Sequence, residues 1–502
     1  MEIKVVTKGL LTQQADCLVI GIVKGTIKAE GALAEADQAL GGNIAALFSD
    51  SEISGDRNDT QFIHTYGKIA ARRILLVGLG DEAELSFEEL REASARAVKE
   101  ALKAKLTKLA FALSDAWSGL DAKEASHAIT EGVLLADYRF PGYHQKEELK
   151  PALESLVIFC AEQGAEDARE GVRIGQAFAE GTNLARDLVN MPGNYLTPTV
   201  LAEKAKEVAE RYGMEVEILE KPDMERYGMG GLLGVNQGSV QAPKLVAIKY
   251  QGTDKWEDVL GFVGKGITFD SGGISLKPGP GMDEMKGDMG GAAAVIGALE
   301  VIGRLKPDVN IAAVIPTTDN MPSGSALKPG DVITAMNGKT IEILNTDAEG
   351  RLILADGVCY AKEMGADYVV DLATLTGAAL VALGTCTTAA VTNNEEFMEE
   401  VMISAAEAGE LLWRLPAYKP YKDQIKSKIA DLKNTGGRNA GSITAGLFVG
   451  EFAEETPWVH LDIAGTSWAD KDNDLSPAGG TGVMVRTLAT LAQLRSVNEK
   501  EE

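Results

Sequence analysis

The sequence predicts an α/β protein of two domains, a smaller N-terminal α/β domain and a larger C-terminal one with a mixed, mostly parallel central sheet. Three observations carry this expectation. Over the first 165 or so residues, short apolar runs rich in Val, Ile and Leu alternate with helical stretches, the pattern of a parallel sheet with crossover helices. A polar turn then enters a long helix over 162–186. Beyond it the alternation resumes to the end of the 502-residue chain. That length suits two or three domains, and the expected division is 1–165 and 166–502.

In the first domain, strands are expected at Ile3–Val6, Cys17–Ile20, Arg73–Val77, Leu106–Leu113 and Leu156–Cys160, and helices at Ala32–Phe48, Ser86–Ala104 and Ala122–Asp137. Val77-Gly78-Leu79-Gly80-Asp81 ends a strand like a nucleotide-binding turn, but the third glycine is missing, so it reads as a turn. In the second domain, Thr197-Pro198 reads as an N-cap with Pro at the first helical position. Strands are expected at Lys244–Tyr250, Val259–Val263, Val309–Ile315, Ala366–Leu372, Thr388–Val391 and Trp458–Ile463, with helices between them. Asn337-Gly338-Lys339-Thr340 ends like a P-loop, but Ile333 stands where the first Gly belongs. Asp470–Asp474 begins like a calcium loop, but Leu475 and Thr481 replace the required Gly and Glu. Both read as surface turns. The tail, Asn498 to Glu502, is expected to fray.

Composition is that of an ordinary globular protein. No apolar run approaches the ~18 residues of a membrane span, and the N-terminal stretch lacks the order of a signal peptide. The expected location is cytoplasmic, with no membrane partner. Cys17, Cys160, Cys359 and Cys386 are scattered, with no CxxC, and read as core thiols in a reducing compartment. His64, His127, His144 and His460 lack HExxH spacing, so any metal must rest on carboxylates. A net charge of −25 repels phosphate backbones, so nucleic acid is not an expected partner. One local exception, Lys419, Lys422, Lys426, Lys428 and Lys433 with Tyr418 and Tyr421, reads as a solvated face, or alternatively as a basic rim on a substrate channel or a local nucleic-acid patch.

Two segments carry chemistry. Asn345-Thr346-Asp347-Ala348-Glu349-Gly350-Arg351-Leu352 puts two carboxylates and a guanidinium within five residues. Hard divalent cations take oxygen ligands, and such a pair can bind one. The same residues fit a capping box before an apolar helix, and the octapeptide alone leaves both readings open. Residues 263–291 favour the first: Lys265, Asp270, Lys277 and Asp288 sit among many glycines, a mixture an ordinary core strand avoids. Lys265 and Asp270 are five apart, so a strand must end or kink between them, at Gly266, if they share a site.

These segments resemble the leucyl aminopeptidases, dinuclear-metal exopeptidases with the NTDAEGRL signature. Arg186–Pro192 with Leu196–Pro198, Asn320–Gly324 and Asp371–Gly377 also resemble family blocks in family order, over roughly residues 170 to 490. The resemblance implies a catalytic metallopeptidase domain behind a variable N-terminal domain that serves oligomerisation or regulation. It implies two divalent ions, one held by Asp270, Asp347 and Glu349, the other by Lys265, Asp270, Asp288 and Glu349, with an added contact from the Asp347 carbonyl. Zinc and manganese both suit such ligands. Without the family, Lys265 reads as a salt-bridge partner. Two ions about 3.5–4 Å apart can share and activate a water. Lys277 is placed to stabilise the negative charge that builds on a peptide carbonyl. Arg351, by resemblance, holds a bicarbonate serving as general base; its plain alternative is an i,i+4 ion pair with Asp347. Met285, Thr374 and Gly377 match positions lining the first side-chain pocket, though Met285 alone would read as core. The expected substrates are peptides with large apolar N-terminal residues, leucine best, and the expected assembly is a homohexamer. A binding protein that lost catalysis and a two-metal phosphoesterase are the rival readings.

Overall fold

The computed structural model describes residues 1–25, 31–113, 119–145 and 151–498. The expected frayed tail beyond Asn498 lies outside them. Two compact units make up the chain: Met1–Ala179 with Asp472–Pro477, and Glu180–Lys471 with Ala478–Glu502.

The first unit holds a six-stranded sheet. Its strands are β1 (Glu2–Val6), β2 (Cys17–Val23), β3 (Thr60–His64), β4 (Arg73–Gly80), β5 (Lys108–Ala112) and β6 (Ser155–Phe159), in the order β1-β6-β5-β2-β4-β3. All pairs are parallel except β3–β4. Strand β3, absent from the sequence expectation, is the half-buried edge and lacks an apolar run. The helix expected over Ala32–Phe48 is two, Ala32–Leu40 and Asn43–Ser49, because Gly41 and Gly42 take φ of 75° and 83°. Phe87–Lys103 and Ala122–Ala136 both begin with a capping box, from Ser86 and Asp121.

The second unit is built on a nine-stranded mixed sheet. Its strands are β7 (Glu215–Leu219), β8 (Lys244–Gln251), β9 (Leu260–Gly264), β10 (Gly266–Asp270) and β11 (Asn310–Asn320). After the small strands β12 (Val332–Thr334) and β13 (Thr340–Glu342) come β14 (Tyr368–Ala373), β15 (Thr388–Thr392) and β16 (Leu412–Arg414). After β17 (Leu432–Lys433), which pairs with β13, comes β18 (Trp458–Asp462). The order is β16-β15-β18-β14-β9-β11-β8-β7, with β10 paired to β11 beside it. The central strands β18, β14, β9 and β11 run parallel. They are buried without alternation because helices cover both faces, and the Asp371 and His460 they bury pair with each other. Two of those helices, Gly290–Leu305 and Gly350–Glu363, are buried along nearly their whole length. Thr197 caps the helix Pro198–Arg211 by accepting from the Val200 amide, as its sequence suggests.

Candidate metal centre and active site

The carboxyl ends of parallel strands are where an open α/β sheet leaves room for a site, and the candidate residues collect there. Lys265 is the single residue between β9 and β10. Its amide donates to the Leu372 carbonyl at 3.0 Å, which fixes the break in the strand. Asp270 ends β10 after an irregularity in the pairing with β11. Asp288 follows a 3-10 turn, Met282–Gly287, and Asp347 and Glu349 lie just before the helix Gly350–Glu363.

The capping-box reading of Thr346–Glu349 does not hold. The Thr346 hydroxyl donates to the Gly272 carbonyl at 2.7 Å and accepts from the Ser275 amide at 2.8 Å. Thr346 thereby ties the octapeptide to the 270–277 loop. Glu349 occupies the N-cap position in helical conformation, with no side-chain cap. Its carboxylate is left for other partners. Gly272 and Gly273 have φ of +86° and +68°, and a Cβ on Gly272 would stand 2.8 Å from Asp347 Oδ1. The loop can take this path only as glycine.

Two ammonium groups and four carboxylates interlock here. Lys265 Nζ lies 2.8 Å from Asp288 and 2.9 Å from Glu349, and donates to the Thr374 carbonyl at 2.9 Å. Lys277 Nζ lies 2.8 Å from Asp270 and 2.6 Å from Asp347. The carboxylates outnumber the ammonium groups, and burial makes that surplus costly. Burial and the nearby Glu349 charge push Asp270 up to about 6. Burial, together with the charges of Asp270 and Glu349, pushes Asp288 up to about 8. Burial opposes the charge on Lys265, but Asp288, Glu349 and Asp270 outweigh it and hold its pKa above the ordinary lysine value.

The donor set fits divalent metal. Asp270, Asp347 and Glu349 each offer a carboxylate oxygen, all within 4.8 Å of one another. Asp288 Oδ2 and Asp347 Oδ1 are buried beside lysines without a directed hydrogen bond. Cations would satisfy both the surplus charge and these oxygens.

A cavity of about 320 Å³ opens onto the cluster. Lys265, Asp270, Lys277, Met285, Asp288, Asp347, Glu349, Thr374 and Gly377 all line it. Thr374 also donates its hydroxyl to Asp288 at 2.6 Å. Arg351 is the candidate that does not line the cavity. It is buried, donates to the Asn434 carbonyl at 2.8 Å, and leaves Nε without a partner. Burial pulls its pKa down to about 10. Sequence reading missed Leu380, Ala464, Ser467 and Trp468, which line the cavity but look like ordinary core or turn residues in the chain. Among the described residues no histidine lines it. Lys419, Lys422 and Lys426 line a different cleft, where Asp423, Asp431 and Glu451 offset them.

The chain is similar to known proteins along nearly its whole length. The model of the cytosol aminopeptidase family catalytic domain matches residues 183–489, and that of the family's N-terminal domain matches 19–147. A probable cytosol aminopeptidase of Alkaliphilus metalliredigens is 49% identical over 497 residues, covering 98% of this chain and 99% of the relative. One from Bacillus subtilis is 48% identical over 491 residues, covering 97% and 98%. Among solved structures, the bottromycin maturation enzyme BotP in complex with Mn is similar at a TM-score of 0.85 and 35% identity, covering 96% of this chain and 100% of that one. A mutant tomato leucine aminopeptidase is similar at 0.87 and 36%, covering 98% and 96%.

Proposed function

The chain belongs to the cytosol aminopeptidase family, whose members are metal-dependent aminopeptidases, and from that membership we propose that it releases leucine and other large apolar residues from the N-termini of peptides. The observation that carries this reading is the single cavity shared by the four clustered carboxylates Asp270, Asp288, Asp347 and Glu349, two lysines and a partly apolar wall. Two divalent ions, manganese or zinc, held by Lys265, Asp270, Asp288, Asp347 and Glu349, would polarise the scissile carbonyl and lower the pKa of an attacking water. Lys265 joins that set only as the neutral amine, so loading releases its proton.

The remaining steps belong to the chain's own side chains. Lys277 is held between Asp270 and Asp347. With those carboxylates engaged by cations, its ammonium would be free to face the carbonyl oxygen and stabilise the negative charge that builds there. Arg351 would hold a bicarbonate through its planar donors, and the unpartnered Nε on its buried guanidinium supports this although the side chain does not line the cavity. A bicarbonate held there would supply a general base for the attacking water. Asp288 orients the free α-amine of the substrate. Met285, Thr374 and Gly377 border the first side chain: Met gives a pliant wall and Gly leaves room. Selectivity among large apolar residues is modest, since a methylene is worth about 1–3 kcal/mol. The enzyme is proposed to work in the cytoplasm as a homohexamer, with the N-terminal domain (1–165) serving assembly or regulation of the catalytic domain (166–502).

The test is leucine release from a leucyl dipeptide beside its N-acetylated twin, with chelator and with added manganese or zinc. Metal-dependent cleavage of the free-amine peptide alone is expected. Equal cleavage of the acetylated peptide would overturn the exopeptidase reading, and activity that survives exhaustive chelation would overturn the metal reading.

A further inference from the structure

Asn320, the last residue of β11, reaches into the cluster from a strand that supplies none of the proposed ligands. Its side chain is buried, 4% exposed. Its Nδ2 donates to Asp270 Oδ1 at 2.9 Å and to the Thr346 carbonyl at 3.1 Å, and lies 3.5 Å from Glu349 Oε2. All three neighbours are acceptors, so only the amide nitrogen can face them. Its backbone carbonyl accepts from the Ser271 amide at 3.1 Å and the Ser271 hydroxyl at 2.7 Å. A Cβ on Gly273 would stand 2.8 Å from Asn320 Oδ1, so the loop closes tightly over this side chain.

We infer that Asn320 is a positioning residue of the metal centre: one neutral amide holds Asp270 and the Thr346–Glu349 segment in mutual register while adding no charge. The Asp270 carboxylate shows how. Oδ1 takes the Gly272 amide at 2.9 Å and the Asn320 amide at 2.9 Å. That turns Oδ2 to Lys277 and the cavity. Without the second donor the carboxylate keeps only the Gly272 amide and Lys277, and its rotation about the Cβ–Cγ axis is less firmly held. Asp270 and Glu349 are the two carboxylates proposed to contact both ions, so an amide placed against both bears on both ions together. The inference rests on the metal reading above.

The experiment uses the full-length chain, with manganese as the probe. Asn320→Leu keeps nearly the same shape and removes the donor; Asn320→Ser keeps a hydroxyl donor on a shorter side chain. Manganese affinity is read by competition with a chelating dye, and the coupling between paired ions by electron paramagnetic resonance. The leucine variant is expected to bind manganese 10- to 100-fold more weakly, with a weakened pair signal, and the serine variant to fall between it and the wild type. A folded leucine variant that binds manganese within twofold of the wild type, with an unchanged pair signal, overturns the assignment. If the leucine variant fails to fold, Asn320→Ala, which also removes the donor, decides by the same criterion. A wild-type chain that takes up no manganese or zinc overturns the metal reading itself, and the role of Asn320 with it.

Discussion

Lys277 and Asp347 are 2.6 Å apart, yet their removal should have different consequences. Asp347→Asn takes a charged oxygen from the donor set, and is expected to lose bound metal and activity together, as measured by metal content after gel filtration and by leucine release. Lys277→Ala leaves the carboxylates in place. It is expected to keep its metal and lose about 10²–10³-fold in kcat, the usual worth of one oxyanion donor. A Lys277→Ala enzyme that retained most of its kcat would remove the residue from the oxyanion role. Charged residues of this kind were legible in the chain because buried charge needs a reason. Asn320 stood out only as the start of the block Asn320–Gly324: it is neutral, and nothing in its local sequence announces that its amide faces Asp270 fifty residues earlier. Trp468 and Leu380 escaped for the opposite reason, since apolar side chains are unremarkable until a cavity is seen beside them.

Among the elements, the helix Gly350–Glu363 does most to shape the site. A Cβ on Gly350 would stand 2.6 Å from Lys265 Cε and 2.7 Å from its Nζ. Gly350→Ala is therefore expected to displace Lys265, to destabilise the fold by about 1–3 kcal/mol, and to weaken manganese binding; urea unfolding and dye competition measure the two effects. Two turns further on, Asp356 is fully buried and accepts from the Leu232 amide at 2.8 Å and the Met336 amide at 2.9 Å. Burial raises its pKa to about 7, against an ordinary value of 3.8. The folded chain thus keeps a proton there that the unfolded chain has lost, and this contribution to stability declines as pH rises from about 4 to 7. The loss of stability caused by Asp356→Asn should accordingly be larger at pH 5 than at pH 8, as read from urea unfolding at both. A difference that does not change with pH would show that Asp356 does not titrate in this range. The strands that frame these helices were readable as apolar runs. The edge strand β3 was not, because one exposed flank dilutes its pattern. The split at Gly41-Gly42 was hidden inside a continuous helical periodicity.

For the whole molecule, the two-domain α/β architecture followed from alternation of strand and helix signals, whereas the pairing order of the strands had no local signature. The proposed assembly is testable at this scale: light scattering of the purified chain is expected to give the mass of six copies, and a monomer at micromolar concentration would dismiss the hexamer. The net charge of −25 should keep any such assembly from sticking to nucleic acid at physiological salt. The sheet order of the second unit has a further consequence, for synthesis. Strand β18 pairs with β14 on one side and β15 on the other, so it sits inside the sheet although it is made near the end of the chain. Ala464, Ser467 and Trp468, which line the cavity, follow directly after it. Contacts this distant in sequence form late. A ribosome that has made four-fifths of the chain therefore holds every proposed ligand but no finished cavity, and a truncated product carries the signature octapeptide without a working peptidase.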